Sequence, residues 1–193
     1  MKKIILATSN PHKLKEIEEI NNFEDISFDI VKGNFDPVED GNNFYENAAI
    51  KAKAAAETMN TYCLADDSGL CVDYLDGRPG IHSARYASTQ QEKISKLLKE
   101  MEDAEPNNRT AHFTCSMVLV DAKGNILHAC EGRVDGFIAE KARGTNGFGY
   151  DPIFYVPEYS KTIAELPETV KNTISHRANA LIPMLRWIND NIR

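Results

Sequence analysis

No apolar run in this chain approaches the ~20 residues needed to cross a membrane; the longest strongly apolar stretch lies around Met117 to Val120. The opening Met1-Lys2-Lys3 imitates the charged start of a signal peptide, but the apolar run behind it ends at Ala7, too short for a leader. A cytoplasmic chain without a membrane partner is expected. Positive charge is also in short supply, with 22 Lys and Arg against 29 Asp and Glu and a net charge of −7. A surface that wraps nucleic acid needs the opposite balance, so no nucleic-acid partner is expected. The four cysteines (Cys63, Cys71, Cys115 and Cys130) show no C-x-x-C spacing, which argues against a zinc site or a disulfide framework and for buried, reduced thiols. Gly-Lys-Ser/Thr occurs nowhere, so there is no Walker A loop. Repeats, low-complexity segments and linkers are missing too. The sequon Asn108-Arg109-Thr110 reads as accidental in a cytoplasmic chain.

What is present is the composition of a folded protein, 42% apolar and 26% charged. Its 193 residues suffice for one domain with a sizeable core, or one domain in two lobes. Lys3 to Ala7 reads as a buried strand, and Leu14, Ile17 and Ile20 mark the apolar face of a helix after it. Ile26, Phe28 and Ile30 alternate with polar residues as in a half-buried strand. Phe44 to Met59 is an Ala-rich helix whose small residues let another element pack closely. Tyr62 to Ala65 and Leu70 to Tyr74 read as two short strands around an Asp66–Gly69 turn, and Ile94, Leu97, Leu98 and Met101 mark another helix. Ala111–Val120 and Ile126–Ile138 form a hairpin around Asp121–Asn125. A Gly-rich loop, Gly144 to Gly149, leads to a strand at Ile153–Val156, and a final helix from about His176 to Asn191 contains Pro183, where a kink or break is expected. Early alternation of strands and helices with a later hairpin gives an α/β fold with a mixed sheet.

Five places carry candidate chemistry. Thr8-Ser9-Asn10-Pro11-His12-Lys13 joins a strand to a helix; Ser9 or Asn10 can cap it, Pro11 suits its first position, and the open N–H groups with Lys13 make an anion site. Asp66 and Asp67 are adjacent acids that a turn tolerates and a divalent cation exploits. Glu39 and Asp40 precede Gly41 and the segment Phe44 to Ala52, where Glu46 with Lys51 or Lys53 could be surface charges or, with the acids, serve a metal and an anion. Gly147-Phe148-Gly149-Tyr150-Asp151-Pro152 offers exposed rings that can sandwich a planar base. Finally, Ser175 is a plausible cap for a helix whose first turn holds His176 and Arg177. Cations there oppose the helix dipole, a cost of about 0.3 to 1 kcal/mol that an anionic or carbonyl-rich ligand would explain.

Six stretches together resemble one family, the inosine triphosphate (non-standard purine NTP) pyrophosphatases, across nearly the whole chain. They are Thr8-Ser9-Asn10-x-x-Lys13, Phe44-x-Glu46-Asn47-Ala48-x-x-Lys51-Ala52, Ala65-Asp66-Asp67-Ser68-Gly69-Leu70, Arg78-Pro79-Gly80-x-x-Ser83-Ala84-Arg85-Tyr86, Gly147 to Pro152, and Lys171-Asn172-x-Ile174-Ser175-His176-Arg177. The resemblance implies a single domain over residues 1–193, an elongated mixed sheet flanked by helices, and two lobes with the active site in the cleft between them. It implies Mg²⁺-dependent hydrolysis of ITP, dITP and XTP to monophosphate and pyrophosphate by a homodimer. Thr8, Ser9, Asn10, His12 and Lys13 would hold phosphates. Asp67 would be general base and metal ligand, with Ser68 beside it and Lys51 on the substrate. Phe148, Gly149, Tyr150, Asp151, Lys171, His176 and Arg177 would meet the nucleotide and its base. The segment Val38-Glu39-Asp40-Gly41 is about one residue shorter than the family's usual pattern; Glu39 is chosen over Asp40 as the second metal carboxylate.

Charge dictates the expected mechanism. A triphosphate brings roughly four negative charges, which Mg²⁺ and local Lys and Arg must neutralise, while Asp67 deprotonates water for in-line attack at the α-phosphorus. A 6-oxo purine presents acceptors at O6 and N7 that Arg177 or His176 can meet, whereas adenine presents a donor at position 6. The alternatives are a catalytically silent nucleotide-binding protein and a metal-dependent phosphatase of other esters.

Overall fold

A computed structural model describes residues 1–33 and 35–193. Its seven strands are β1 (Lys2–Leu6), β2 (Ile26–Ile30), β3 (Cys63–Val72), β4 (Thr110–Val120), β5 (Ile126–Ile138), β6 (Phe154–Val156) and β7 (Lys161–Thr162). They form one sheet in the order β2-β1-β3-β4-β5-β6-β7. It is mixed, because β1 pairs in parallel with β2 and β3, whereas β6 is antiparallel to β5 and β7. The helices are α1 (Pro11–Ile20), α2 (Phe44–Met59), α3 (Gln90–Glu100), α4 (Glu168–Ile174) and α5 (His176–Asn191). The expected α/β class with a mixed sheet is what forms. No helix among the described residues is long and apolar enough to cross a membrane.

The chain divides into two compact units, the first made of Met1–Asp67, Cys115–Gly132 and His176–Arg193, the second of Ser68–Thr114 and Arg133–Ser175. In unit 1 the strand alternation sorts side chains into two cores. Ile5, Ala7, Cys63, Ala65, Val118 and Val120 pack with Ala48, Ala52, Ala55 and Ala56 of α2. Ile4, Leu6, Leu64, Met117 and Leu119 turn the other way, onto Ile17 of α1 and Leu181, Met184, Leu185 and Ile188 of α5. These four alanines of α2 are wholly buried, as their close-packing role requires. Gly132 of β5 meets α5 closely: a Cβ there would stand 2.2 Å from the His176 carbonyl oxygen and 2.3 Å from the Ala180 nitrogen. Unit 2 has its own core, where Leu70, Val72, Phe113, Ile138, Ile153 and Phe154 meet Ile94 and Leu97 of α3. The buried Arg109 guanidinium donates to the carbonyls of Met101, Ala104, Ile138 and Ala139, anchoring the end of α3.

Local signals explain most boundaries. The Asn10 side chain accepts from the His12 N–H, so Asn10 rather than Ser9 caps α1, with Pro11 first in the helix. Asn43 caps α2 and Thr89 opens α3 with a full capping box to Glu92. At Asp121–Asn125 the Asp121 carboxylate accepts from the Lys123 and Asn125 N–H groups and Gly124 takes φ +78°, closing the turn between β4 and β5.

Four expectations need correction. The two short strands around an Asp66–Gly69 turn are one ten-residue strand, β3, followed by a 3₁₀ turn at Asp73–Leu75. Turn-forming residues remain extended here because both carboxylates have buried cationic partners. Helix α4, set off by Pro167, was not foreseen; Ser175 ends it, its N–H donating to the Lys171 carbonyl, and stands immediately before α5. Pro183 does not break α5, which is continuous from His176 to Asn191 and anchored by its buried apolar face. Of the cysteines, Cys63 and Cys115 are buried but Cys71 and Cys130 only half so, and none forms a disulfide among the described residues.

Candidate active site

The pivot of unit 1 is the dipeptide Asp66-Asp67. Successive residues of a strand point to opposite faces, so Asp66 joins the α1/α5 side and Asp67 the α2 side, each with its own partners. The two acids therefore form their ion pairs with different cations, Asp66 with Lys13 and Arg177 and Asp67 with Lys51.

On the α2 side, Asn47 and Lys51 stand one turn apart. Lys51 Nζ lies 3.2 Å from Asp67 Oδ1 and 2.8 Å from Glu39 Oε2, joining the two carboxylates through one ammonium group. Asn47, 1% exposed, donates from Nδ2 to Asp67 Oδ2 at 3.2 Å, while its Oδ1 accepts from the Gly41 N–H at 2.9 Å. A Cβ on Gly41 would lie 2.7 Å from Asn47 Oδ1, so glycine is what lets the Glu39 segment come this close. Burial pushes the Asp67 carboxyl up and Glu39 adds to that, with Lys51 and Asn47 opposing; the net result is above the ordinary range. Lys51 also shifts upward: burial disfavours its charge, but Asp67, Asp66 and Glu39 outweigh that. Of the alternatives the sequence left open, Lys53 and Asp40 are exposed. Glu46 binds the Asn42 N–H and the Asn43 side chain, tying down the loop before α2.

On the opposite face, Lys13 Nζ lies 3.0 Å from Asp66 Oδ1. Arg177, 1% exposed, donates from Nη2 to Asp66 Oδ2 at 3.2 Å and from Nη1 to Glu16 Oε2 at 2.6 Å. Burial alone would raise Asp66, but Lys13, Arg177 and Lys51 hold it well below the carboxylate range; Arg177 is raised correspondingly by Asp66 and Glu16 against its own desolvation. The cation in the first turn of α5 is thus explained by two internal carboxylates, and no ligand is needed to account for it. His176 beside it is buried, His12 and Ser9 are exposed, and Thr8 is half-buried with Oγ1 accepting from the Asn10 N–H.

The candidates of unit 2 form a group of their own. Asp151 Oδ2 accepts from Lys171 Nζ at 2.8 Å and from the Phe148 N–H at 2.9 Å. Lys171 Nζ lies 4.5 Å from the centroid of the Phe148 ring, within cation–π range. Gly147 has φ +74°, and a Cβ there would stand 2.1 Å from Asp151 Oδ2, so the loop requires glycine. Gly149 takes φ +62° in open space. The expected pair of exposed rings is corrected: Phe148 is half-buried, and Tyr150 is a core residue, 4% exposed, its hydroxyl donating to the Ser83 carbonyl. Ser68, half-buried, follows Asp67 on β3. Ser83 has a structural task, its Oγ donating to the Gly80 carbonyl and accepting from the Leu70 N–H.

Two participants, Asn47 and Glu16, were not among the candidates the sequence singled out, and the third, Asp66, has a different set of partners from the one expected. Asn47 sat inside a recognised motif, and its buried amide is the signal that should have promoted it. Glu16 stands next to Ile17 on the apolar side of α1, an acid where burial demands a partner. Asp66 was read with Asp67 rather than against it.

A mixed α/β sheet whose third strand, β3, holds two buried acids, each answered by lysine on its own face, defines an α/β protein with a charged site built on one interior strand. The profile of the Ham1 family matches residues 4–187. The chain belongs to that family, as the motif resemblance implied. It is 45% identical to the dITP/XTP pyrophosphatase of Oceanobacillus iheyensis over 98% of this chain and 99% of that protein. It is 47% identical to the Bacillus subtilis dITP/XTP pyrophosphatase over 94% of each. Among solved structures, a HAM1 protein from Coxiella burnetii superposes with a TM-score of 0.89 at 41% identity, covering 98% of this chain and all of that one.

Proposed function

We propose that this enzyme hydrolyses ITP, dITP and XTP to the nucleoside monophosphate and pyrophosphate, removing non-standard purines from the nucleotide pool. The observation that carries this reading is the Glu39–Lys51–Asp67 cluster, two carboxylates and an ammonium group gathered on one sheet face in a chain whose relatives are dITP/XTP pyrophosphatases.

Asp67 is the general base. Its raised proton affinity suits it to accept the proton of a water while the oxygen lone pair forms a bond to the α-phosphorus. The bond from that phosphorus to the α,β-bridging oxygen breaks, and its electrons leave with pyrophosphate. Lys51 and Lys13 oppose the charge that gathers on the departing group. Asn47 fixes one carboxylate oxygen of Asp67 and thereby directs the other.

Glu39 and Asp67 would hold Mg²⁺. Both offer hard oxygen donors within 3.2 Å of a common nitrogen, and no group of three or more His, Cys, Asp or Glu able to hold a metal exists among the described residues. That set fits Mg²⁺, which takes one or two carboxylates and completes its shell with water and substrate phosphate, and it does not fit a closed zinc site. When bound, the ion supplies charge neutralisation on the phosphate oxygens. Excess EDTA should abolish turnover, and Mg²⁺ should restore it.

Thr8, Ser9, Asn10 and His12 are assigned to phosphate, Ser68, Phe148, Gly149, Tyr150, Asp151 and Lys171 to the nucleotide, and His176 and Arg177 to the purine, by family resemblance. A base with O6 as acceptor is preferred over adenine on this reading. The two units belong to one domain, and the enzyme works as a cytoplasmic homodimer without nucleic-acid or membrane partners. A monomer mass by light scattering at micromolar concentration would remove the dimer. The deciding experiment is a substrate panel of ITP, dITP, XTP, GTP and ATP with product identification. Pyrophosphate from the first three supports the proposal; orthophosphate points to a phosphatase of other esters, and no product to a silent binder.

A further inference from the structure

Asp66 has no part in the chemistry proposed above, yet it is 6% exposed and spends both carboxylate oxygens on cations. Those cations differ in what else holds them. Arg177 has a second carboxylate, Glu16, at 2.6 Å, closer than Asp66 at 3.2 Å. For Lys13, Asp66 supplies the acceptors named here: Oδ1 at 3.0 Å and, more distantly, the backbone carbonyl oxygen at 3.5 Å. A lysine carries a flexible four-carbon stem whose rotamer freedom opposes any fixed placement of its head, so an ammonium group anchored from a strand is ordered before any anion arrives. The Lys13 side chain retains 18% exposure, against 2% for Arg177, so of the two cations on Asp66 it is the one that still meets solvent.

We infer that Asp66 is a positioning residue for phosphate binding, acting through Lys13: its carboxylate, on the sheet face opposite Asp67, pre-aims the Lys13 ammonium group at the phosphate chain. Because Arg177 keeps Glu16, loss of Asp66 is felt at the phosphates and not at the base. The inference rests on the proposed triphosphate hydrolysis.

The test is a double-mutant cycle in the full-length protein, with ITP and GTP as substrates and a melting curve for each variant. Asp66→Asn should raise KM for ITP about three- to tenfold with a smaller change in kcat, and the ratio of kcat/KM for ITP to that for GTP should stay within about twofold. In a Lys13→Ala background the same change should add less than about twofold to KM, since the group it aims is already gone. Equal effects of Asp66→Asn with and without Lys13, or a changed ITP to GTP ratio, would overturn the inference. If Asp66→Asn does not fold, Asp66→Glu in both backgrounds takes its place, and an effect on KM that persists without Lys13 again overturns it. Failure of the wild-type chain to release pyrophosphate from ITP would instead reject the proposed function and is read separately.

Discussion

Two adjacent aspartates show how environment divides identical chemistry. Asp66, caught between Lys13 and Arg177, is held ionised, and Asp67, more sparingly compensated, is held closer to a useful proton acceptor. Asp67→Asn keeps the size of the side chain but removes the charge and the basic oxygen. Its kcat on ITP should fall about 10²- to 10⁴-fold, with ITP affinity by calorimetry largely retained and an unchanged melting curve; a folded variant within threefold of wild type would return Asp67 to a structural role. The pH profile follows from the same shift. Asp67 must be ionised to hold Mg²⁺, and in the metal-free protein burial raises its proton affinity, so a proton competes with the ion: Mg²⁺ affinity, read by calorimetry, should weaken with falling pH from a value above the ordinary carboxylate range. For Asp66 the sign is reversed: its depressed pKa adds stability at neutral pH that is lost as acid carries the protein below the ordinary carboxylate range, visible as acid unfolding that Asp66→Asn blunts.

Elements in this fold meet through small residues. Gly132 admits the backbone of α5 so closely that Gly132→Ala should destabilise by about 1 to 3 kcal/mol through overpacking, read as a lower melting temperature. Gly149→Ala has open space around its new methyl group, and its cost should be the left-handed backbone alone, about 1 kcal/mol. Such contacts explain what could be read from the sequence and what could not. The alternation in β2, the Ala-rich face of α2, the Asp121–Asn125 turn and the Asn10-Pro11 start of α1 are local and were legible. Asp66-Asp67-Ser68-Gly69 carries the local signal of a turn, because the lysines and arginine that pair with it in the strand come from elsewhere in the chain, Arg177 from 111 residues away. Tyr150 reads as an exposed ring from the sequence because nothing in a glycine-rich loop announces that Ser83 awaits its hydroxyl. Short α4 lacks a side-chain cap, so its start carried little signal.

For the molecule as a whole, the connection of the two units matters most. The chain passes between them after Asp67, Thr114, Gly132 and Ser175, so neither unit is a contiguous piece that could be cut out intact. A single calorimetric unfolding transition is therefore expected; two resolved transitions would mean that each unit is stable without the other. The opposed pair on β3 also determines where the length of this chain can vary. Inserting one residue between Ala65 and Asp66 would turn every following side chain to the other side, presenting each carboxylate to its neighbour's partners and placing a charge against an apolar core. One residue added between Ala122 and Lys123, in an exposed turn, changes no facing at all. Natural and engineered length differences should thus collect at loops such as that turn, and β3 should act as the fixed ruler from which the rest of the sequence is aligned.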